Sequence, residues 1–279
     1  MSDLFQKNLS EAELARTPNI IQSVERTVKI LDALTRGGEN GESLGEVSQA
    51  VEMQSSTVHH LLASLIHFQM VEQDPISKRY RLGLHLIELG SSAMSSTTLA
   101  RIARRPVEQV SNATRQSCSL LAFHGLVRTQ ILGTSSQQML LAQPAPLNVY
   151  TLHATGSGKL LLAFLPELDL ADYFERVHQG RLRLERFTAN TLTHPDQLLE
   201  ELQTIRVQRY AIDHEEYGLG VNCISAAVQD ASQSVVACLD MVFPIYNLSQ
   251  EQICELTLTM CQAAGALSNQ LRELGLKVR

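Results

Sequence analysis

Residues Ser43–Leu82 read SLGEVSQAVEMQSSTVHHLLASLIHFQMVEQDPISKRYRL. Ser43 and Glu46 form an S-x-x-E pair, the mark of a capping box at a helix start. Leu44, Val47 and Val51 then give that helix an inward face. Glu52, Met53 and Gln54 turn the chain, and a second helix is expected to begin near Ser55 or Ser56, both good N-caps. Val58, Leu61, Leu62 and Leu65 make one apolar stripe, with Thr57, His60, Ser64 and His67 facing elsewhere. Val71-Glu72-Gln73 and Arg79-Tyr80-Arg81-Leu82 bracket a turn rich in Asp, Pro and Ser, the pattern of a short hairpin. Helix, turn, helix and hairpin in that order is the layout of a winged helix-turn-helix, a DNA-reading device.

Upstream, residues 1–19 carry little periodicity and read as a mobile arm. Val24, Val28, Leu31 and Leu34 recur at helical spacing, predicting a helix from about Ser23 to Arg36 that ends in the glycine-rich loop Gly37–Gly41. Downstream, Leu84, Ile87 and Leu89 open a helix whose pattern fades in the Ser-rich stretch Ser91–Thr98, where a domain boundary is expected. Beyond it, Ile102, Val107 and Val110 suggest a helix, and His124-Gly125 a turn between strands Ser119–His124 and Leu126–Leu132. Gly156–Phe164 looks like a helix begun by glycine. Thr193 is expected to cap a helix running to about Arg209, with Pro195 tolerated early. Val221–Val228 and Val235–Phe243 suit a sheet interior, and Ser249-x-x-Gln252 caps a last helix. Strands and helices without regular alternation predict an α+β chain with an antiparallel second domain. The expected division is an arm at 1–19, a winged helix-turn-helix at 20–83, a linker helix at 84–98 and an effector-binding and oligomerisation domain at 99–279.

The chain has 279 residues, 44% hydrophobic and 19% charged, enough to bury a core in two domains. Its net charge of −6 removes any simple electrostatic case for nucleic acid. Within 20–90, Arg26, Lys29, Arg36, Lys78, Arg79 and Arg81 are outnumbered by Asp and Glu. DNA affinity would therefore need a few well-placed cations, backbone amides and more than one copy of the domain. Cys118, Cys223, Cys238, Cys254 and Cys261 match no zinc spacing and read as reduced thiols. No apolar run reaches the ~18 residues of a membrane span. The start of the chain lacks a signal-peptide layout, and a cytoplasmic location is expected.

Several motifs in fixed order are similar to the IclR family of bacterial transcriptional regulators. They are SVERTVKILDAL, SSTVHHLLASL and RYRLGLHLIELG in the first part, then HATGSGKLLLAFLP, FTANTLTHPDQLLEELQTIR and YAIDHEEYGLGVNCISAAVQD. The resemblance runs from about Ile20 to near the end of the chain. It implies a winged helix-turn-helix joined to a GAF-like effector-binding domain. It further implies homodimers, often paired into tetramers, that bind operator DNA and respond to a small metabolite, most often as repressors. It implies no cofactor.

For DNA, the first turn of the second helix of the motif is the part that would meet base edges in the major groove. The candidates are Gln54, Ser55, Ser56, Thr57, His59 and His60, with Lys78, Arg79 and Arg81 on or beside the wing. His60 stands where the family frequently has arginine, and histidine cannot make the two-pronged contact to guanine. Gln69 stands where the family often has glycine. These departures bear on the operator sequence rather than on the docking mode.

The family's effector pocket maps onto Gly156, Ser157, Asp213 and Cys223. A glycine at a helix start exposes amides suited to a carboxylate or carbonyl oxygen. Met139, Leu140 and Leu152 are candidate apolar walls. Where many members carry Ser-x-Ser, this chain has Asp240-Met241-Val242, and an aspartate there would repel a carboxylate and favour a hydroxyl or amine. A metal- or redox-responsive version of the same fold, using His153, His178, His194 and His214, is the alternative. A thiol enzyme built on Cys223 and His214 lacks an orienting third group, and no enzyme activity is expected.

Overall fold

The computed structural model describes residues 20–35, 37–134, 148–178, 183–246 and 248–278. The expected N-terminal arm therefore lies outside the described residues. The chain divides into two compact units that part between Ala93 and Met94.

In the first unit, α1 (Gln22–Leu34) is followed by α2 (Leu44–Ala50) and α3 (Ser55–His67). The hairpin β1 (Val71–Gln73) and β2 (Tyr80–Leu82) follows, then α4 (His85–Ser96). The capping box at α2 forms as expected: the Ser43 amide donates to Glu46 Oε2 at 2.7 Å, and the Glu46 amide donates to Ser43 Oγ at 3.3 Å. Ile30, Ala33, Leu34, Val47, Val58, Leu62, Leu65, Val71 and Tyr80 make one core. The four residues whose spacing predicts α1 do not share one buried face. Val24 and Val28 are exposed, Leu31 is half-buried and Leu34 is buried, with Ile30 and Ala33 completing the buried side. Heptad-like counting cannot tell a core stripe from an apolar stripe left outside, because both carry the same period. α4 runs through the Ser-rich stretch to Ser96, within the span 84–98 expected for a linker helix.

The second unit holds α5 (Thr98–Thr114), β3 (Ser117–His124), β4 (Val127–Gly133), a 3-10 turn at Val149–Ala154, α6 (Gly156–Ala163) and α7 (Glu167–His178). It continues with α8 (Pro195–Gln208), β5 (Tyr210–His214), β6 (Val221–Gln229), β7 (Val235–Pro244) and α9 (Gln250–Glu273). The five strands form one antiparallel sheet in the order β4-β3-β7-β6-β5. Strand residues alternate between its faces. Ile224, Ala226, Leu239, Met241 and Phe243 join an apolar core with Ile102, Val107 and Val110 of α5 and Ile253, Met260, Ala264 and Leu267 of α9. Leu121, Ala211, Ala227 and Cys238 point the other way, toward Leu152, Leu160, Leu162, Tyr173, Leu198 and Leu202. Thr193 does not cap α8. His194 holds that position without a side-chain bond, and Pro195 opens the helix.

Candidate nucleic-acid interface and effector site

The first turn of α3 is built to face outward. Val58, Leu62 and Leu65 anchor the helix in the core. Helical geometry then turns Gln54, Ser55, Ser56, His59 and His60 to the exposed side, with Thr57 half-buried. The N-cap is Gln54, whose side chain makes no cap bond, so neither serine is the cap. Ser55 and Ser56 sit inside the first turn, and no capping bond occupies their hydroxyls. Turn amides at such a helix start carry partial positive charge toward whatever lies in front of them.

The wing is held by its own polar groups. Asp74 Oδ1 accepts from the amides of Ile76 at 3.0 Å and Ser77 at 2.6 Å, and from Ser77 Oγ at 2.9 Å. Those bonds, the Ser77 amide first, draw the Asp74 carboxyl below its ordinary range. Arg79 is committed to the scaffold: Nη2 lies 2.6 Å from Glu46 Oε2, and Nε donates to the carbonyls of Asn40 and Gly41 at 3.1 Å. Glu46 thus bonds Ser43 and Arg79 with one oxygen. The Ser43 amide is the main reason its pKa falls to about 2. Arg81 Nη2 lies 3.3 Å from Asp74 Oδ2, and Lys78 is exposed at the turn with φ +58°.

In the second unit, strand register gathers the candidate effector residues on one sheet face. Asp213 pairs with Cys223, and Cys223 with Val242, in a single row across β5, β6 and β7. The next row runs Ala211, Ser225, Asp240 and Ser119 across four strands. Asp240 Oδ1 accepts from Ser225 Oγ at 2.5 Å and Cys223 Sγ at 3.1 Å. Burial pushes the Asp240 carboxyl up against those donors, and burial and the Asp240 charge push the Cys223 thiol well up. Gly156 opens α6 beside this row. A Cβ there would sit 2.8 Å from Ser225 Oγ and 3.4 Å from Cys223 Sγ, so only glycine lets the helix start so close. Leu152 is fully buried among the apolar residues on this face. Met139 and Leu140 lie outside the described residues.

Asp213 Oδ1 accepts the Glu216 amide at 2.6 Å. Burial lifts its pKa to about 7. Next to it, buried Lys159 of α6 donates to Glu216 Oε1 at 2.6 Å, the Ile212 carbonyl at 2.8 Å and Glu201 Oε1 at 3.3 Å.

Sequence reasoning missed Arg128. It stands at the start of β4, where an arginine beside a hairpin turn reads as a solvated edge residue, yet it is 2% exposed. Nη1 donates to Thr155 Oγ1 at 2.6 Å and Ser157 Oγ at 2.8 Å, and Nη2 donates to Thr151 Oγ1 at 3.1 Å. Ser157 is thereby tied to a cation that the sequence placed nowhere near it. Ser225 could have been found, since period-two alternation puts it on the same face as Cys223.

Of the histidines of the metal alternative, His153 is buried with Nε2 2.8 Å from the Glu185 carbonyl, and His194 and His214 are exposed. Among the described residues no group of three or more His, Cys, Asp or Glu is placed to hold a metal ion. No described helix is long and apolar enough to cross a membrane.

A helix-turn-helix with a wing, followed by a unit built on an antiparallel sheet, defines a DNA-binding transcriptional regulator. Residues 23–75 match the IclR helix-turn-helix domain, and residues 91–269 match the bacterial transcriptional regulator IclR C-terminal domain. The chain belongs to the IclR family, whose members are regulators rather than enzymes. It is 30% identical to the HTH-type transcriptional regulator BhcR of Paracoccus denitrificans over 89% of this chain and 86% of that protein. The crystal structure of Thermotoga maritima IclR matches at a TM-score of 0.58 and 25% identity, covering 90% of this chain and 98% of that one. An IclR homolog from Microbacterium hydrocarbonoxydans, complexed with 4-hydroxybenzoate, shares the fold at a TM-score of 0.60 and 20% identity, covering 90% of this chain and all of the other.

Proposed function

We propose that this regulator is a repressor whose grip on operator DNA is set by a small metabolite bound in the second unit. The observation that carries the DNA half is the outward first turn of α3, with Gln54, Ser55, Ser56, His59 and His60 exposed above a buried apolar face. In the major groove these side chains reach base edges while the turn amides take phosphate. Thr57 supports them from its half-buried place. Lys78 follows the backbone from the wing, and Arg79 and Arg81 hold the wing's shape beside it. The effector half rests on Gly156, Ser157, Asp213, Cys223, Asp240 and Val242 meeting between α6 and the sheet. A protein of this fold that holds 4-hydroxybenzoate supports it. Met139, Leu140 and Leu152 are proposed as its apolar walls.

The working form is a homodimer, paired into a dimer of dimers. Ile20, Ile21, Val24 and Val28 at α1, and Leu84, Ile87 and Leu89 at α4, leave apolar surface that a second copy would cover. All five cysteines are free, in keeping with a cytoplasmic site of action. Ligand control follows from differential affinity: the effector favours the arrangement of the dimer that does not match the operator. Anisotropy titrations against DNA from upstream of its own gene test the reading. We expect His60→Ala to change preference among operator variants while leaving the salt dependence of binding nearly unaltered. Equal weakening on every DNA would refute base reading by that turn.

A further inference from the structure

We propose that the outward face of α5 is a second DNA contact, where Arg101, Arg104 and Arg105 take backbone phosphates beside the sequence read by α3. It goes beyond the reading by the α3 turn, because it puts a sequence-blind grip in the second unit.

The first unit is short of positive charge. Residues 20–93 carry six Lys or Arg against nine Asp or Glu. Three of those cations already face carboxylates: Lys29 lies 2.7 Å from Glu25, Arg79 2.6 Å from Glu46 and Arg81 3.3 Å from Asp74. Neutralising phosphates supplies a large share of any protein's affinity for duplex DNA. The reading helix therefore gains from cations elsewhere in the chain.

α5 holds such cations. Residues 98–115 contain four arginines and a single acid, Glu108, in a chain whose net charge is −6. Leu99, Ile102, Ala103, Val107 and Val110 bury one side of the helix. Arg101, Arg104 and Arg105, three and four positions apart, share the exposed side. Among the described residues none of the three is paired with a carboxylate.

Helix stability does not account for them. Like charges at these spacings repel one another. Arg101 closes the first turn, where the helix end is itself partly positive. α5 has no acid in that turn and no base in its last one, the reverse of what the helix dipole favours. Their place in the chain does suit DNA. α4 ends at Ser96 and α5 follows after Thr97, so these arginines are the first charges of the second unit. The twelve residues of α4 span about 18 Å, against about 34 Å for one turn of duplex, so a bound operator and its flanks offer phosphates within the chain's reach. A guanidinium matches a phosphate with paired donors, and such contacts carry no sequence information.

The test uses the full-length protein with all three arginines changed to glutamine, and separately to lysine. Anisotropy is read on promoter DNA from upstream of its own gene and on a random duplex of about 40 bp, from about 50 to 200 mM salt. The glutamine variant should melt at the same temperature or slightly higher. On both duplexes its plot of log affinity against log salt should be shallower by about 2 or more, at ~0.9 per phosphate, and affinity at the lowest salt should fall about tenfold or more. Its preference for the promoter over the random duplex should hold within about threefold. The lysine variant should keep the wild-type slope to within about 1. An unchanged slope in the glutamine variant, a lysine variant that behaves like it, or a loss confined to the promoter would overturn the proposal. A changed oligomeric state by sedimentation would also overturn it, and would give the face to a second copy of the chain. Wild-type binding to the promoter with a slope indifferent to the glutamines removes this contact and leaves the α3 reading standing. Wild-type protein that ignores both duplexes at low salt removes both.

Discussion

The two candidate sites of this chain solve opposite physical problems. In the first unit the polar side chains stand outside a small apolar core, and each belongs to one helix turn or one hairpin. In the second unit Arg128, Asp240, Asp213, Lys159 and Glu216 are all under a tenth exposed, and they come from β4, β7, β5, α6 and the segment after β5. A surface that meets DNA needs its groups solvated until the partner arrives. A pocket for a small molecule gains its selectivity from groups already stripped of water. The first unit should therefore tolerate changes to its polar residues, and the second should not.

The sharpest contrast is between ion pairs. Lys159→Met would leave Glu216 buried without its cation, and we expect a loss of about 3–5 kcal/mol in denaturant unfolding. Glu216→Gln added to it should recover a good part of that. The exposed Glu25–Lys29 pair on α1, at 2.7 Å, should change stability by less than about 0.5 kcal/mol when Lys29 is replaced by Met. Similar costs for the two would break the contrast.

Acid response separates the units next. Asp213 has a folded pKa raised to about 7 from an ordinary 3.8, so between those values the folded state binds more protons than the unfolded chain. Its contribution is fully present below about pH 4 and is lost as pH rises toward 7. Asp213→Asn should flatten that fall and stabilise the protein more at pH 8 than at pH 5, as read from melting temperatures. Glu46, lowered to about 2 by the Ser43 amide, runs the other way: its support is present above its ordinary pKa of 4.5 and is lost as pH falls toward 2.

Smaller effects belong to the first unit. Ser43→Ala removes the hydroxyl half of the α2 cap, the bond from the Glu46 amide, and should cost about 1 kcal/mol while the Ser43 amide still donates to Glu46. Gln69, just past α3, holds φ +57°, a left-handed conformation that suits glycine. Gln69→Gly should gain up to about 1 kcal/mol in chemical denaturation, less the added freedom of the unfolded chain. A loss there would mean that the glutamine side chain secures the turn.

What the sequence made legible follows the same division. The capping boxes at Ser43 and Ser249, the α3 stripe and the hairpin all depend on residues a few positions apart, and they appear as expected. The grouping of Asp213, Cys223 and Val242 came from the family resemblance, and strand register then supplied its geometry. Arg128 was illegible, because its partners lie 23 to 29 residues away, in the 3-10 turn at Val149–Ala154 and at the start of α6. α7 was missed as well: its apolar positions Leu170, Tyr173 and Val177 are interrupted by charges and flanked by weak boundaries. Val24 and Val28 show the converse limit, since the helical period that found α1 does not say which of its apolar residues are buried.

The most direct test of the DNA-reading turn is Ser56→Glu. An acidic residue in a helix's first turn favours the helix, so the melting temperature should hold or rise slightly. The same charge would face phosphate, and affinity for promoter DNA at low salt should fall by about a hundredfold or more. Undiminished DNA binding by a folded Ser56→Glu protein would contradict the assignment of this turn to the duplex.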